Sequence, residues 1–310
     1  MKNRTLVAVS VALLLLCALP HVLPRFYVYV ASIVLLTGLL ATSLNIAIGY
    51  GGIYQFHHTV FYGVGAYGTA LSLARAGAPA PVAMLVGPLA AAALSLLMGV
   101  ICVRLSKLYF GMLQISLGSL VWVVVYRWYS FTAGDDGIHG VPLPDLLSSA
   151  GGAYYCTLAV TVLSLFVLRR VAGSPFGKTL QGIRDNPVRS EAIGVDVKRH
   201  KLVALVIAGF FGGVAGSLFV VVDTSVFPDM MFWTFSLEVL IMCLLGGMYT
   251  FWGPFVGSST LVLLRVFVSV YTQYWGIILG TILSLVIIFL PDGLLGFFVR
   301  RFRTREPRGA

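Results

Sequence analysis

The chain has 310 residues, 59% of them apolar and only 10% charged, with mean hydropathy +0.96. A soluble domain is about 45–50% apolar and about 25% charged, so these charges are too few to cover a globular surface. A soluble enzyme, a disordered chain and a disulfide scaffold are excluded, which leaves an all-α polytopic membrane protein. The net charge of +10 falls in short basic clusters between long apolar runs. That is the pattern of loops facing anionic lipid and cytosol, not the continuous basic face that a nucleic-acid partner needs. Cys17, Cys102, Cys156 and Cys243 lie far apart inside apolar runs. They read as small membrane-buried side chains, with no zinc or disulfide spacing.

A membrane-crossing helix needs about 20 apolar residues. About ten segments qualify: 6–23, 26–49, 59–76, 80–103, 108–128, 152–168, 202–222, 234–249, 254–272 and 275–290. The first follows Lys2 and Arg4, as a signal peptide would, but no A-x-A site follows it and no small residues precede Cys17, so it reads as a retained helix. With the N-terminus in the cytoplasm, 17 of the 21 basic residues fall inside and 3 outside (Arg25, Arg75 and Arg127), with Arg265 in a span. Both termini are therefore expected in the cytoplasm. Asp135, Asp136 and Asp145 then lie in an outer loop over 130–150, and Asp223 and Asp229 in an outer segment over 223–233. No soluble domain can be cut from the chain, so 1–310 reads as one membrane domain.

Between the second and third spans, Asn45-Ile-Ala-Ile-Gly-Tyr-Gly-Gly-Ile-Tyr-Gln-Phe-His-His58 interrupts the apolar region. Irregular backbone at membrane depth survives where it is buried in protein or lines a wet cavity, and broken helices of this kind often flank a transport path. A tight turn at the inner face is the plainer alternative. Asn45, Gln55, His58, Gln114 and Glu238 are the residues nominated for a path. Glu238 is the one carboxylate placed within a span, where an acid is a functional hypothesis by default, although a wet position at the outer interface is equally open. His57-His58 is a poor metal site, since helix neighbours point apart and no other ligand joins them.

Residues 169–201 form the one long inner loop. Ser174-Pro175 reads as an N-cap and first helical residue of a helix running to about Arg184. Asn186-Pro187 repeats the signal, and Gly194 stands where a C′ residue belongs. Two short helices broken at Asp185-Asn186 follow. The second carries Val188, Ala192 and Ile193 as a small apolar face, and a helix that short must pack on something. The choice lies between its own bundle and a groove on a cytoplasmic partner. Gly173 to Thr179 imitates a phosphate-binding loop, but only three residues separate its glycines where four are needed, and a membrane span precedes it instead of a β-strand. Any ATP site therefore belongs to another chain. Further on, Gly209-x-x-x-Gly213, Gly212-x-x-x-Gly216, Gly253-x-x-x-Gly257 and Gly276-x-x-x-Gly280 have the spacing of close helix contacts.

Taken together, several segments resemble the LivM-type permease of bacterial branched-chain amino-acid ABC importers. They are Asn45 to Gly52 with His58 and Phe61-Tyr62-Gly63-Val64-Gly65-Ala66-Tyr67; Tyr109 to Leu113; Thr132 to Ile138; Leu180 to Ala204; Leu245 to Met248 with Trp252-Gly253-Pro254; and Pro291 to Gly296. The resemblance covers about residues 38–298. It implies the importer permease fold in a bacterial inner membrane, with a homologous second permease, two cytosolic ATPases that carry ATP and Mg, and a periplasmic binding protein as partners. This chain would bind no cofactor and perform no catalysis. Arg184, Asp185, Asn186, Glu191, Ala192 and Gly194 match the family's ATPase-coupling motif. Two departures add aromatic bulk, namely Tyr54-Gln55-Phe56-His57 and Tyr249, which stand where the family has smaller residues. Relatives of this family also move urea, short amides and aromatic acids. A stand-alone secondary transporter or channel is the alternative, with Glu238 and Arg265 its one possible charge pair, and a polytopic enzyme would need clustered acids or histidines that the sequence lacks.

Overall fold

The computed structural model of the chain describes residues 16–105, 107–271 and scattered positions between 274 and 296. Most of the first expected span (6–23) and most of the last (275–290) lie outside the described residues, as do Lys2, Arg4 and the arginines between 300 and 308. Among the described residues the fold is all-helical, and the nearest thing to a strand is a single bridge between Ile138 and Val226.

Among the described residues, six helices are long and apolar enough to cross a membrane. The first is α1, Arg25–Asn45, which continues as a π turn over Ile46–Tyr50. After α2, Thr59–Ala74, come α3, Ala80–Cys102, α4, Lys107–Arg127, and α5, Ala150–Gly173. Two short helices, α6 (Pro175–Asp185) and α7 (Pro187–Ala192), lead into α8, Val197–Asp223, and then α9, Trp233–Gly246, and α10, Gly253–Tyr271. The two central helices are α1 and α8, whose most apolar windows are 78% and 72% buried, against 28% for α4 and 33% for α10. The outer helices therefore keep apolar faces for lipid or another subunit, as Leu89, Leu97, Leu108, Met112, Leu120 and Phe267 do.

Two of the expected spans are shorter than the sequence suggests. Helix α2 has 16 residues and α9 has 14, about 24 and about 21 Å at 1.5 Å per residue, less than the roughly 30 Å of a bilayer core. Both start where the sequence places them to within one residue, at Thr59 and Trp233, but end early, at Ala74 and Gly246. The inner loop is also shorter than 169–201, since α5 carries Arg169 and Arg170 in its last turns and α8 begins at Val197.

Small residues let the central helices touch. Helix α8 presents Gly209 and Gly213 to α3, where a Cβ would meet Ser95 and Ala91, and Gly212 and Gly216 to His58 and the Tyr62 carbonyl before and within α2. Gly65 of α2 lies against the backbone of Gly213, and a Cβ there would clash with the Gly213 carbonyl oxygen. Gly246, Gly253 and Gly257 bring α9 and α10 together in the same way. Gly276 and Gly280 meet nothing within 4 Å among the described residues. The four cysteines are free, Cys102 and Cys243 buried, Cys156 half-buried and Cys17 exposed.

Candidate functional site

The interruption after α1 is a non-helical passage of six residues, partly buried. The π turn ends at Gly51, and Gly52 takes φ +61 against the Arg184 side chain. Residues 52–57 then run without helical structure, with Gln55, His57 and His58 fully enclosed. Backbone bonds from Ile53 N–H to the Ala47 carbonyl and from Gln55 N–H to the Ile53 carbonyl hold its start, and it ends against α9. There Ser236 of α9 caps α2, accepting the Thr59 N–H at 3.0 Å.

Hydrogen bonds hold this passage in place. His58 Nε2 donates to Ser43 Oγ at 2.9 Å, while Ser43 itself donates to the Leu40 carbonyl. His58 Nδ1 accepts from Gln55 Nε2 at 2.9 Å. Both ring nitrogens are thus used, in the neutral Nε2–H form that this pattern requires. His57 turns the other way, its Nε2 donating to the Met231 carbonyl at 2.7 Å. The two adjacent histidines point apart, as the sequence suggests, and serve as pins.

The basic loop folds as its caps dictate. Ser174 accepts from the Gly177 N–H and Asn186 from the Arg189 N–H, and Gly194 leaves α7 at φ +91. Helix α6 is amphipathic, burying Leu180 and Ile183 on the bundle. On α7, Val188 and Ile193 are 74% and 78% exposed, and Glu191, Ala192 and Gly194 are exposed beside them. Asp185 is exposed as well, while Asn186 spends its side chain on the cap. Arg184 behaves differently. Its Nη1 donates to the Gly49 carbonyl at 2.6 Å, its guanidinium lies 5.1 Å from the Tyr249 ring, and Asp185 braces it at 3.0 Å. It therefore clasps the loop to the π turn that begins the non-helical passage. Sequence reasoning placed Arg184 in the basic loop but could not see where its side chain goes.

Arg184, Tyr249, Gly52, Tyr54 and Phe56 line an open cavity of about 380 Å³ at this end. The two aromatic departures noted in the sequence thus face one space. Asn45 is buried beside it and donates to the Thr250 carbonyl at 3.3 Å. Gln114 is buried on α4, against Ser95 and Phe61. The side-chain oxygens of Asn45, Gln55 and Gln114 have no hydrogen-bond partner among the described residues. Glu238 is not part of this group. It lies on α9, where Arg265 Nη1 of α10 meets its Oε1 at 3.3 Å beside a second cavity of about 310 Å³. Three of the nominated residues thus gather around the break, Gln114 lies to one side, and Glu238 stands apart.

The comparisons agree with this architecture. The family model described as "Branched-chain amino acid transport system / permease component" matches residues 26–290. The chain is 28% identical to the high-affinity branched-chain amino acid transport system permease protein LivM of Escherichia coli K12, over 92% of this chain and 74% of that protein. The protein of the same name from Salmonella typhimurium is 27% identical, over 91% and 73% of the two chains. A probable branched-chain amino acid transport permease protein LivM of Methanocaldococcus jannaschii is 22% identical, over 62% and 61%. No solved structure matches.

Proposed function

The chain belongs to the family of permease components of branched-chain amino acid transport systems, and from that premise we propose that it is the membrane subunit of an ATP-driven importer of branched-chain amino acids or a related small polar solute (an amide, urea or an aromatic acid). In this reading residues 1–310 are one permease domain of about ten helices in the bacterial inner membrane, with both termini in the cytoplasm. A homologous second permease completes the gate. Two cytosolic ATPases bind ATP and Mg and dock on α6 and α7, and a periplasmic binding protein delivers the solute. The chain holds no cofactor and catalyses no reaction.

One observation carries this reading. The exposed helix pair α6–α7 is tied by Arg184 to the Gly49 carbonyl, and so to the start of the non-helical passage. Closure of the ATPases pushes α7 through Val188 and Ile193, α6 moves with it, and Arg184 draws on the π turn. The names of the E. coli and Salmonella relatives support the substrate class, and the aromatic lining by Tyr54 and Tyr249 supports the wider list of solutes.

The test combines recovery and uptake. Tagged chain solubilised from its own membranes is expected to bring down an ATPase. Glu191→Lys and Gly194→Pro are expected to abolish uptake with membrane insertion intact. Proline cannot adopt the φ of +91 at position 194 and loses the Gly194 N–H bond to the Glu191 carbonyl. Uptake unchanged in both variants would remove the role given to the loop. A stand-alone secondary transporter is favoured by the Glu238–Arg265 pair; it predicts uptake that persists when no ATPase is recovered.

A further inference from the structure

The last turns of α5 carry two exposed arginines, Arg169 and Arg170, that the coupling role does not use. Arg170 stands 20 residues after Ala150, the first residue of α5, which is about 30 Å along the helix axis and so about the thickness of a bilayer core. Leu163, Phe166 and Val167 precede it by seven, four and three residues and are all exposed, so Arg170 ends the outward apolar face of α5. Arg169 leaves that face toward α10. Both line an open cavity of about 510 Å³ with Phe166, Gly173 and Ser174. A Cβ at Gly173 would meet nothing within 4 Å among the described residues, so that wall is bare.

Neither arginine reaches straight for water. A long basic side chain near a helix end usually lays its stem on apolar surface and stretches its charge into solvent. Here the Arg170 guanidinium folds back one turn to lie 5.3 Å from the Phe166 ring, and that of Arg169 crosses to the Trp252 ring, 5.7 Å away and just before α10. Phe166 and Trp252 are themselves exposed. Both charges are therefore held at the level where aromatic rings meet lipid headgroups. Neither arginine is ion-paired among the described residues, where Asp185 is taken by Arg184 and Glu238 by Arg265. A ring contact uses up no directed N–H, and each guanidinium carries five. The Ser174 hydroxyl is already spent, donating to the Val171 carbonyl and accepting from the Gly177 N–H. Two cations thus flank one space for which the chain supplies no anion.

We infer that this cavity binds the phosphodiester of an anionic glycerophospholipid. The two guanidiniums donate to its non-bridging oxygens, a pairing that suits arginine and phosphate. The headgroup fills the space over Gly173, and an acyl chain runs along Leu163, Phe166 and Val167. That apolar strip selects a lipid over free phosphate or an acidic segment of a cytosolic protein, because neither of those has a part that lies in hydrocarbon. A lipid so held bridges α5 and the segment before α10 beside the start of α6. The inference does not depend on the import reading and holds equally for a stand-alone transporter.

Full-length chain in neutral detergent is titrated with phosphatidylglycerol and with phosphatidylcholine of identical acyl chains, and bound lipid is counted by native mass spectrometry. Phosphatidylglycerol is expected to bind about tenfold more tightly, at one site. This arm needs no variant, and equal binding of the two lipids would overturn the site. Arg170→Gln, at an exposed position, is expected to cut the preference roughly threefold, and Arg169→Gln combined with it to abolish the preference. Arg189→Gln, which removes an exposed charge from α7, is expected to leave it unchanged. A preference that survives the double variant would overturn the assignment, and one that falls equally with Arg189→Gln would reduce it to diffuse attraction. Loss of bound phosphatidylglycerol to an excess of inorganic phosphate would overturn the choice of a lipid. So would loss of a co-purifying ATPase in the double variant with the lipid preference intact, since the arginines would then face a protein.

Discussion

His58 shows how much one residue can fix. It is wholly buried, and it joins α1 through Ser43 to the non-helical passage through Gln55. Replacing it with alanine leaves the Gln55 amide unpaired and a ring-sized hole, and each buried group so stranded costs about 1–3 kcal/mol. His58→Ala is expected to lower the unfolding midpoint in detergent by roughly 5 °C or more, with His58→Gln recovering part of the loss; a thermal scan checks both. Local chemistry of this kind was only partly legible in the sequence. The caps at Ser174 and Asn186 could be read from short-range rules because each bonds a residue three further on, whereas the same cap at Asp196 on Arg199 was missed. The aim of Arg184 could not be read, because its acceptor Gly49 is 135 residues away.

At the scale of elements, the long spans follow from apolar length and the short ones do not. Residues 59–76 read as a full span, and α2 does begin at Thr59, where Ser236 and the Phe232 carbonyl receive its first residue, but it ends at Ala74 after only 16 residues. The glycine spacing was a better guide, since it encodes contact directly. Gly65 meets the Gly213 backbone, so Gly65→Ala forces α2 and α8 apart, and overpacking of this kind costs about 1–3 kcal/mol. Gly173→Ala, at a position with nothing within 4 Å, is expected to be neutral. Unfolding of the two variants measured side by side makes the comparison, and equal midpoints would contradict the packing.

For the whole molecule, the asymmetry of charge is the firmest long-range signal, because it depends on counting and not on any single contact. It predicts that the basic loop and the acidic loop lie on opposite sides of the bilayer. With the four natural cysteines replaced by serine, Ile193→Cys is expected to react with a membrane-impermeant maleimide only in inside-out vesicles, and Leu146→Cys only in intact spheroplasts. Both side chains are well exposed, at 78% and 84%, so lack of reaction on the expected side would reverse the orientation. The non-helical passage over residues 52–57 has a consequence at this scale too. Shifting a helix through a membrane breaks or strands backbone hydrogen bonds, each worth several kcal/mol where water is absent. A stretch with no i→i−4 ladder can slide or rotate while its neighbours stay whole. Its side-chain bonds, together with the backbone bonds from Ile53 N–H to the Ala47 carbonyl and from Gln55 N–H to the Ile53 carbonyl, are the local resistance, so single substitutions at positions 43, 55, 57 and 58 are expected to shift the threshold for opening.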